Sequence, residues 1–276
     1  MAKIRKIRAD MHEEQLSADL ERYRQKAIEL GVSNARIVRA DQIPVDERIP
    51  MKCQIPRCFG YGAGAQCPPN TMKPAELQDL LRKYEWAVFF TKDIPPEVIV
   101  RDKATIKERV EAYQQMYTIV SEIESAAFYD GHYLAFGFAS GSCRHTFCGQ
   151  LPDCQAMKGE KCRFSLKSRP SMEAVGIDVY KMVAMAGWDI YPIGSGAKAE
   201  NVPKGTLAGI VIVQYGHAPF SERPAASGIE RNSCLERRSA TRRAAFLATF
   251  QPSLKRRLAF PRGPSKDNSL NAYIFV

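Results

Sequence analysis

Cysteine is the residue whose placement in this chain carries chemistry. Seven of the eight cysteines fall in two short windows, Cys53, Cys58 and Cys67 in one and Cys143, Cys148, Cys154 and Cys162 in the other. Thiolates grouped in this way are soft ligands for zinc or for iron–sulfur clusters. The gaps are four and eight residues in the first window, then four, five and seven in the second. Structural zinc sites favour tighter Cys-x2-Cys knuckles, so the longer gaps suit a bulkier guest around which a loop must wrap. A 4Fe–4S cube takes four thiolates, and Cys143, Cys148, Cys154 and Cys162 supply that number from one stretch without matching the compact bacterial ferredoxin run. These four are assigned as cofactor-binding residues and all seven as metal ligands. The expected cofactor is one or two 4Fe–4S clusters, with zinc as the alternative.

The first window supplies three ligands, which leaves a position open for water, substrate, a small ligand or a residue from elsewhere. Gly60, Gly62 and Gly64 would let bare backbone amides approach sulfur, and such hydrogen bonds tune a cluster. Arg57, Arg144, Lys161 and Arg163 flank the cysteines, where positive charge would offset thiolates. His145 could replace a thiolate as in Rieske-type ligation, although a solvent-facing loop histidine is the commoner case. The run Gly60-Tyr-Gly-Ala-Gly64 lies between two cysteines and lacks the strand–turn–helix context of a dinucleotide site. Glu173 and Asp178 follow the second window, and Glu173 reads as a residue near a helix start, where an acid opposes the dipole. No nucleophile–His–acid set and no Walker loop is present, so no catalytic residue is assigned.

Elements able to position these loops follow from periodicity. Residues 13–30 form an amphipathic helix, with Leu16, Leu20, Tyr23 and Ala27 on one face and Gly31 as its stop. Residues 35–39 are a short strand. Pro74 opens a helix through Leu77, Leu80 and Leu81, at the position where its missing N–H is harmless. Residues 86–91 read as a buried strand. Residues 105–128 read as a helix striped by Ile106, Val110, Tyr113, Tyr117 and Val120, in which both tyrosines are core residues. Residues 132–138 read as a strand entering the second cysteine loop, 170–187 as a helix, and 207–215 as the last strong strand. Helix and strand alternate, which predicts an α/β or α+β architecture: a sheet layered with helices and carrying two cysteine-rich loops, 53–69 and 143–163. Residues 10–216 are read as one metal-binding domain.

The formal net charge of +10 is unevenly spread over the 276 residues. Residues 217–276 hold 11 Lys and Arg against 4 Asp and Glu, which leaves 29 against 26 for the rest. The body therefore lacks a nucleic-acid-binding composition, and only the basic tail could contact nucleic acid. That tail is rich in Arg, Ser, Ala and Pro, a composition that predicts disorder; residues 244–250 could form a transient helical turn, and Cys234 stands alone there as a non-ligand. No apolar run approaches the roughly 20 residues that span a bilayer. The basic start leads into Glu13-Glu14-Gln15 without an apolar core, so it does not read as a secretory signal. A cytoplasmic, reducing compartment is expected, in which clustered cysteines mean metal or redox chemistry rather than disulfides.

Three segments resemble a prokaryotic family of predicted metal-binding proteins, domain of unknown function 2284: Cys53-x4-Cys58-x8-Cys67-Pro-Pro69, Cys143 through Cys162-Arg163, and Arg169-Pro-Ser-Met-Glu-Ala-Val-Gly-Ile-Asp-Val179. The likeness covers roughly residues 13–215. It implies bound metal of the iron–sulfur kind and a setting, typically anaerobic, that tolerates oxygen-sensitive cofactors. It implies no particular reaction. The expected role is electron transfer or redox accessory work, with a redox partner protein or a small ligand at an open cluster; the alternatives are a zinc-stabilised scaffold and nucleic-acid binding through the tail.

Overall fold

The computed structural model describes residues 4–7, 12–100, 106–194 and 196–213. The expectations for 217–276, including Cys234 and the turn at 244–250, lie outside the described residues. Within them, four strands form one antiparallel sheet: β1 (Asn34–Arg39), β2 (Trp86–Ile94), β3 (Phe136–Phe138) and β4 (Gly205–Val213), in spatial order β1-β2-β4-β3. Helices α1 (Glu13–Glu29), α2 (Arg48–Gln54), α3 (Pro74–Leu81), α4 (Pro96–Ile99), α5 (Ile106–Tyr129), α6 (Cys143–Phe147) and α7 (Val179–Met185) complete it. The alternation therefore resolves as α+β.

β4 explains the layering. All nine of its residues are buried, and its run Ile210-Val-Ile-Val213 has no polar alternation, the pattern that burial on two faces demands. Leu207, Val211 and Val213 pack with Leu16, Leu20 and Tyr23 of α1 and with Met116, Val120 and Ile123 of α5. Ala208, Ile210 and Ile212 face the other way, toward Leu77 and Leu81 of α3 and Met182 and Val183 of α7. α5 lies very close to the sheet at Gly209, where a Cβ would stand 2.6 Å from the Phe90 ring and 2.9 Å from Val120.

Three expectations need correction. The strand expected over 132–138 begins only at Phe136, because His132 turns inward to α1 and places Nε2 3.1 Å from Asp19 Oδ2. The helix expected over 170–187 is broken into a single 3-10 turn, Glu173–Val175, and α7. Gly176 lies between them at φ +96°, where a Cβ would come 2.8 Å from Pro74 Cγ, and Asp178 caps α7 by accepting from Lys181 N at 3.0 Å. The stripe on α5 starts late: Ile106 is 76% exposed, whereas Val110 and Tyr113 face the cysteine loops. Tyr117 is fully buried, as expected of a core residue.

Asp19 ties the N-terminal segment to the body. Its carboxylate accepts from Arg5 Nη1 at 2.6 Å and Arg22 Nη2 at 2.9 Å besides facing His132. Burial opposes its ionisation, yet the hydrogen bonds with His132 and Arg5 and the charge of Arg22 hold it well below the usual carboxylate range. A depressed acid stabilises the fold above its ordinary value of 3.8, and that stabilisation is lost as the pH falls below it. Asp19→Asn is expected to lower unfolding free energy at neutral pH by about 2 kcal/mol. In urea titrations at stepped pH, its deficit relative to the parent should narrow below 3.8; a deficit constant down to acid pH would refute the ionic account.

Candidate metal centre

The first cysteine loop hangs from α2, whose penultimate residue is Cys53. Backbone bonds fold it tightly: Cys58 N to Cys53 O at 2.8 Å, Tyr61 N to Cys58 O at 3.0 Å, Gly62 N to Pro68 O at 2.8 Å and Cys67 N to Gly64 O at 3.2 Å. Gly60 does what its position suggests, for its N–H lies 3.4 Å from Cys58 Sγ. It also passes close to Cys67, since a Cβ there would meet Cys67 Sγ at 3.4 Å. Gly64 serves differently and leaves room for the second loop, a Cβ on it falling 3.1 Å from Arg144 Cβ.

Cys53, Cys58 and Cys67 line one cavity of about 150 Å³, with walls that include Phe59, Val110 and Tyr113. Burial, reinforced by Cys58, Glu173 and Cys67, pushes the Cys53 thiol up to about 12. Burial likewise raises Cys67, against the pull of Ser142, to which its Sγ hydrogen-bonds at 3.3 Å. Glu173 lines the same cavity, is only 5% exposed, and keeps an Oε1 with no hydrogen-bond partner. Burial drives its carboxyl up to about 8, opposed by hydrogen bonds from its own amide and the Ser171 hydroxyl. The helix-dipole reading of Glu173 is wrong, because α7 starts at Val179 and Asp178 caps it. Its sequence position offered one signal only, an acid inside an otherwise apolar and small-residue segment.

Cys143, Cys148, Cys154 and Cys162 line a second cavity of about 40 Å³. α6 begins at Cys143, and Arg144 on it fastens the loop by donating to the carbonyls of Cys148 and of Leu151, the latter at 2.7 Å. Arg163 reaches the Asp153 carbonyl at 2.9 Å, and Phe147 stacks on Phe164 with centroids 5.1 Å apart. Burial pushes Cys143 up to about 12 despite a hydrogen bond with Ser168. Burial also raises Cys148, while Arg144 and Arg163 pull it down, so these two arginines act as the offsetting charges foreseen. Arg57 instead lies over the Tyr61 ring at 5.7 Å. His145, although inside the second window, lines the first cavity, with Nδ1 3.2 Å from Ser142 Oγ and its ring against Phe59.

The two sets adjoin, since Ser142 contacts Cys67 and directly precedes Cys143. Among the described residues, no three His, Cys, Asp or Glu side chains converge as a single metal ion requires. No helix among them is long and apolar enough to cross a membrane.

Among known families, the predicted metal-binding proteins (DUF2284) match residues 36–212. That span covers more than half of the chain and both cysteine loops, and the protein belongs to this family. No curated protein and no solved structure matches it significantly.

Burial pushes the Cys53 and Cys143 thiols up to about 12, so a soft metal held by these thiols would have to displace their protons. Metal uptake is expected to release protons and to tighten from about pH 6 to about pH 9. Titration calorimetry in buffers of different ionisation heat measures both; uptake independent of buffer and pH would show that these thiols are not involved.

Proposed function

We propose that this metal-binding protein is an iron–sulfur protein that transfers electrons within, or as an accessory to, a redox system. Cys143, Cys148, Cys154 and Cys162 would hold one 4Fe–4S cluster, and Cys53, Cys58 and Cys67 a second. The observation that carries the reading is the sorting of seven cysteines into two adjoining cavities, four in one and three in the other. The donor set fits: four soft thiols surround one void, larger than the roughly 10–15 Å³ that holds a water. The gaps of four to eight residues between successive cysteines are longer than the Cys-x2-Cys knuckles usual for structural zinc. Such clusters, when bound, accept and donate single electrons. The chain's own part is to exclude water, supply amide hydrogen bonds such as that of Gly60 to Cys58 Sγ, and set the surrounding charge. A redox protein is the proposed partner.

Iron, acid-labile sulfide and zinc content of protein purified without oxygen tests this directly, with a visible spectrum alongside. About eight iron and eight sulfide per chain are expected for two cubes, and zinc without iron or sulfide would overturn the reading. Cys154→Ser and Cys58→Ser should each remove about half of the iron, from different clusters, and Cys234→Ser none.

A further inference from the structure

Glu173 is held in place from both sides. The segment before it bridges to the chain leaving β3, with Ala139 N to Pro170 O and Met172 N to Ala139 O both at 2.9 Å. The segment after it bridges to the chain entering α2, with Asp46 N to Gly176 O at 2.8 Å and Asp178 N to Pro44 O at 2.9 Å. Its neighbours Met172 and Val175 are fully buried. The side chain therefore has little freedom to leave the cavity that it shares with Cys53, Cys58 and Cys67.

Among the described residues no helix cap or ion pair accounts for a carboxylate there; its own amide and the Ser171 hydroxyl reach the carboxyl, but Oε1 keeps no partner. α7 is capped by Asp178. Arg169, four residues upstream, is engaged by Glu124, at 2.8 Å from Nε and 2.5 Å from Nη2. Arg109, on the same cavity wall, donates its Nε to the Val98 carbonyl at 2.8 Å. A buried carboxylate oxygen without a partner has lost its hydration with nothing in return and calls for a reason. Buried charges are ordinarily paired or bound to metal, and the three thiols that line the same cavity are one ligand short of the four that a cube takes.

We propose that Glu173 is the fourth protein ligand at the three-cysteine site, binding metal through Oε1. The inference rests on the reading of that cavity as a metal site. It turns an open position into a mixed one, three soft thiolates and one hard carboxylate, whose metal corner is distinct from the others and the one most readily exchanged.

The test uses the full chain, loaded with 57-iron and sulfide without oxygen, in the parent form and as Glu173→Gln, Glu173→Cys and Cys58→Ser. Iron content, Mössbauer and EPR spectra are read together with the thermal unfolding midpoint. The parent should show one iron unlike the all-thiolate remainder. Glu173→Gln should lose about one iron of eight per chain and gain the signal of a three-iron cluster. Glu173→Cys should retain all the iron and lose the distinct site. Parent-like spectra and iron content in both Glu173 variants would overturn the proposal while leaving the cluster reading intact, and a change confined to the unfolding midpoint would do the same in favour of a structural role. If Cys58→Ser removes no iron, the three-cysteine cavity is not a metal site and both readings fall together.

Discussion

β4 has no face in contact with water, and the positions of both cysteine loops descend from that burial. Each fully buried Val, Ile or Leu contributes roughly 1.5–3 kcal/mol, whereas a ladder hydrogen bond nets about 1 kcal/mol. Leu207 and the run Ile210 to Val213 therefore fix the strand's place, and the hydrogen bonds fix its register. From β4 the constraint passes outward through backbone pairings. Ser140 Oγ donates to the Ala208 carbonyl and accepts from Ala208 N at 2.9 Å, which pins the chain between β3 and Cys143. Ala139 pairs with Ser171, and Ile177 pairs with Val45 on the way to α2. Cys143, Glu173 and Cys53 are thus stations along one connected set of bridges.

The loops concentrate groups that oppose one another's ionisation. Cys58, Glu173 and Cys67 all raise Cys53, and Cys67 raises Cys143. Without a cation the arrangement is tolerable only with thiols and carboxyl neutral, the forms that burial favours. The two sets are not equivalent in charge. Arg144 and Arg163 pull down the Cys148 thiol, whereas Arg109 at the first cavity is tied to the Val98 carbonyl and, among the described residues, no arginine lowers Cys53 or Cys67.

The cysteine windows were legible in the sequence because ligand type and spacing are local properties. The helices α1 and α3 and the strands β1, β2 and β4 were legible because their apolar periods or runs are strong. What could not be read depends on distant partners. His132 leaves the strand pattern because its partner, Asp19, lies 113 residues away. The segment after Arg169 reads as a helix until Gly176 meets Pro74 and its chain turns. Glu173 then looked like a residue at a helix start, and only the bridges to the chain leaving β3 and to the chain entering α2 bring it to the cavity of the three thiols. His145 lines the other cavity for a local reason: two residues apart on α6, it and Cys143 stand about 200° apart around the helix.

The contact between the sets argues against treating them as two independent sites. Cys67 Sγ meets Ser142 Oγ, and His145 Nδ1 meets that same hydroxyl from the other side. Cys143 follows Ser142 through one peptide bond, so any group ordering the first loop also restrains the start of the second. Arg144 adds a second join, packing on Gly64 while fastening the carbonyl of Cys148. Effects of substitutions at residues in contact do not add, and coupling of 0.5–3 kcal/mol is usual for such pairs, so roughly that range is expected between the loops. Through such a join, the occupancy of either cavity becomes a term in the stability of the other.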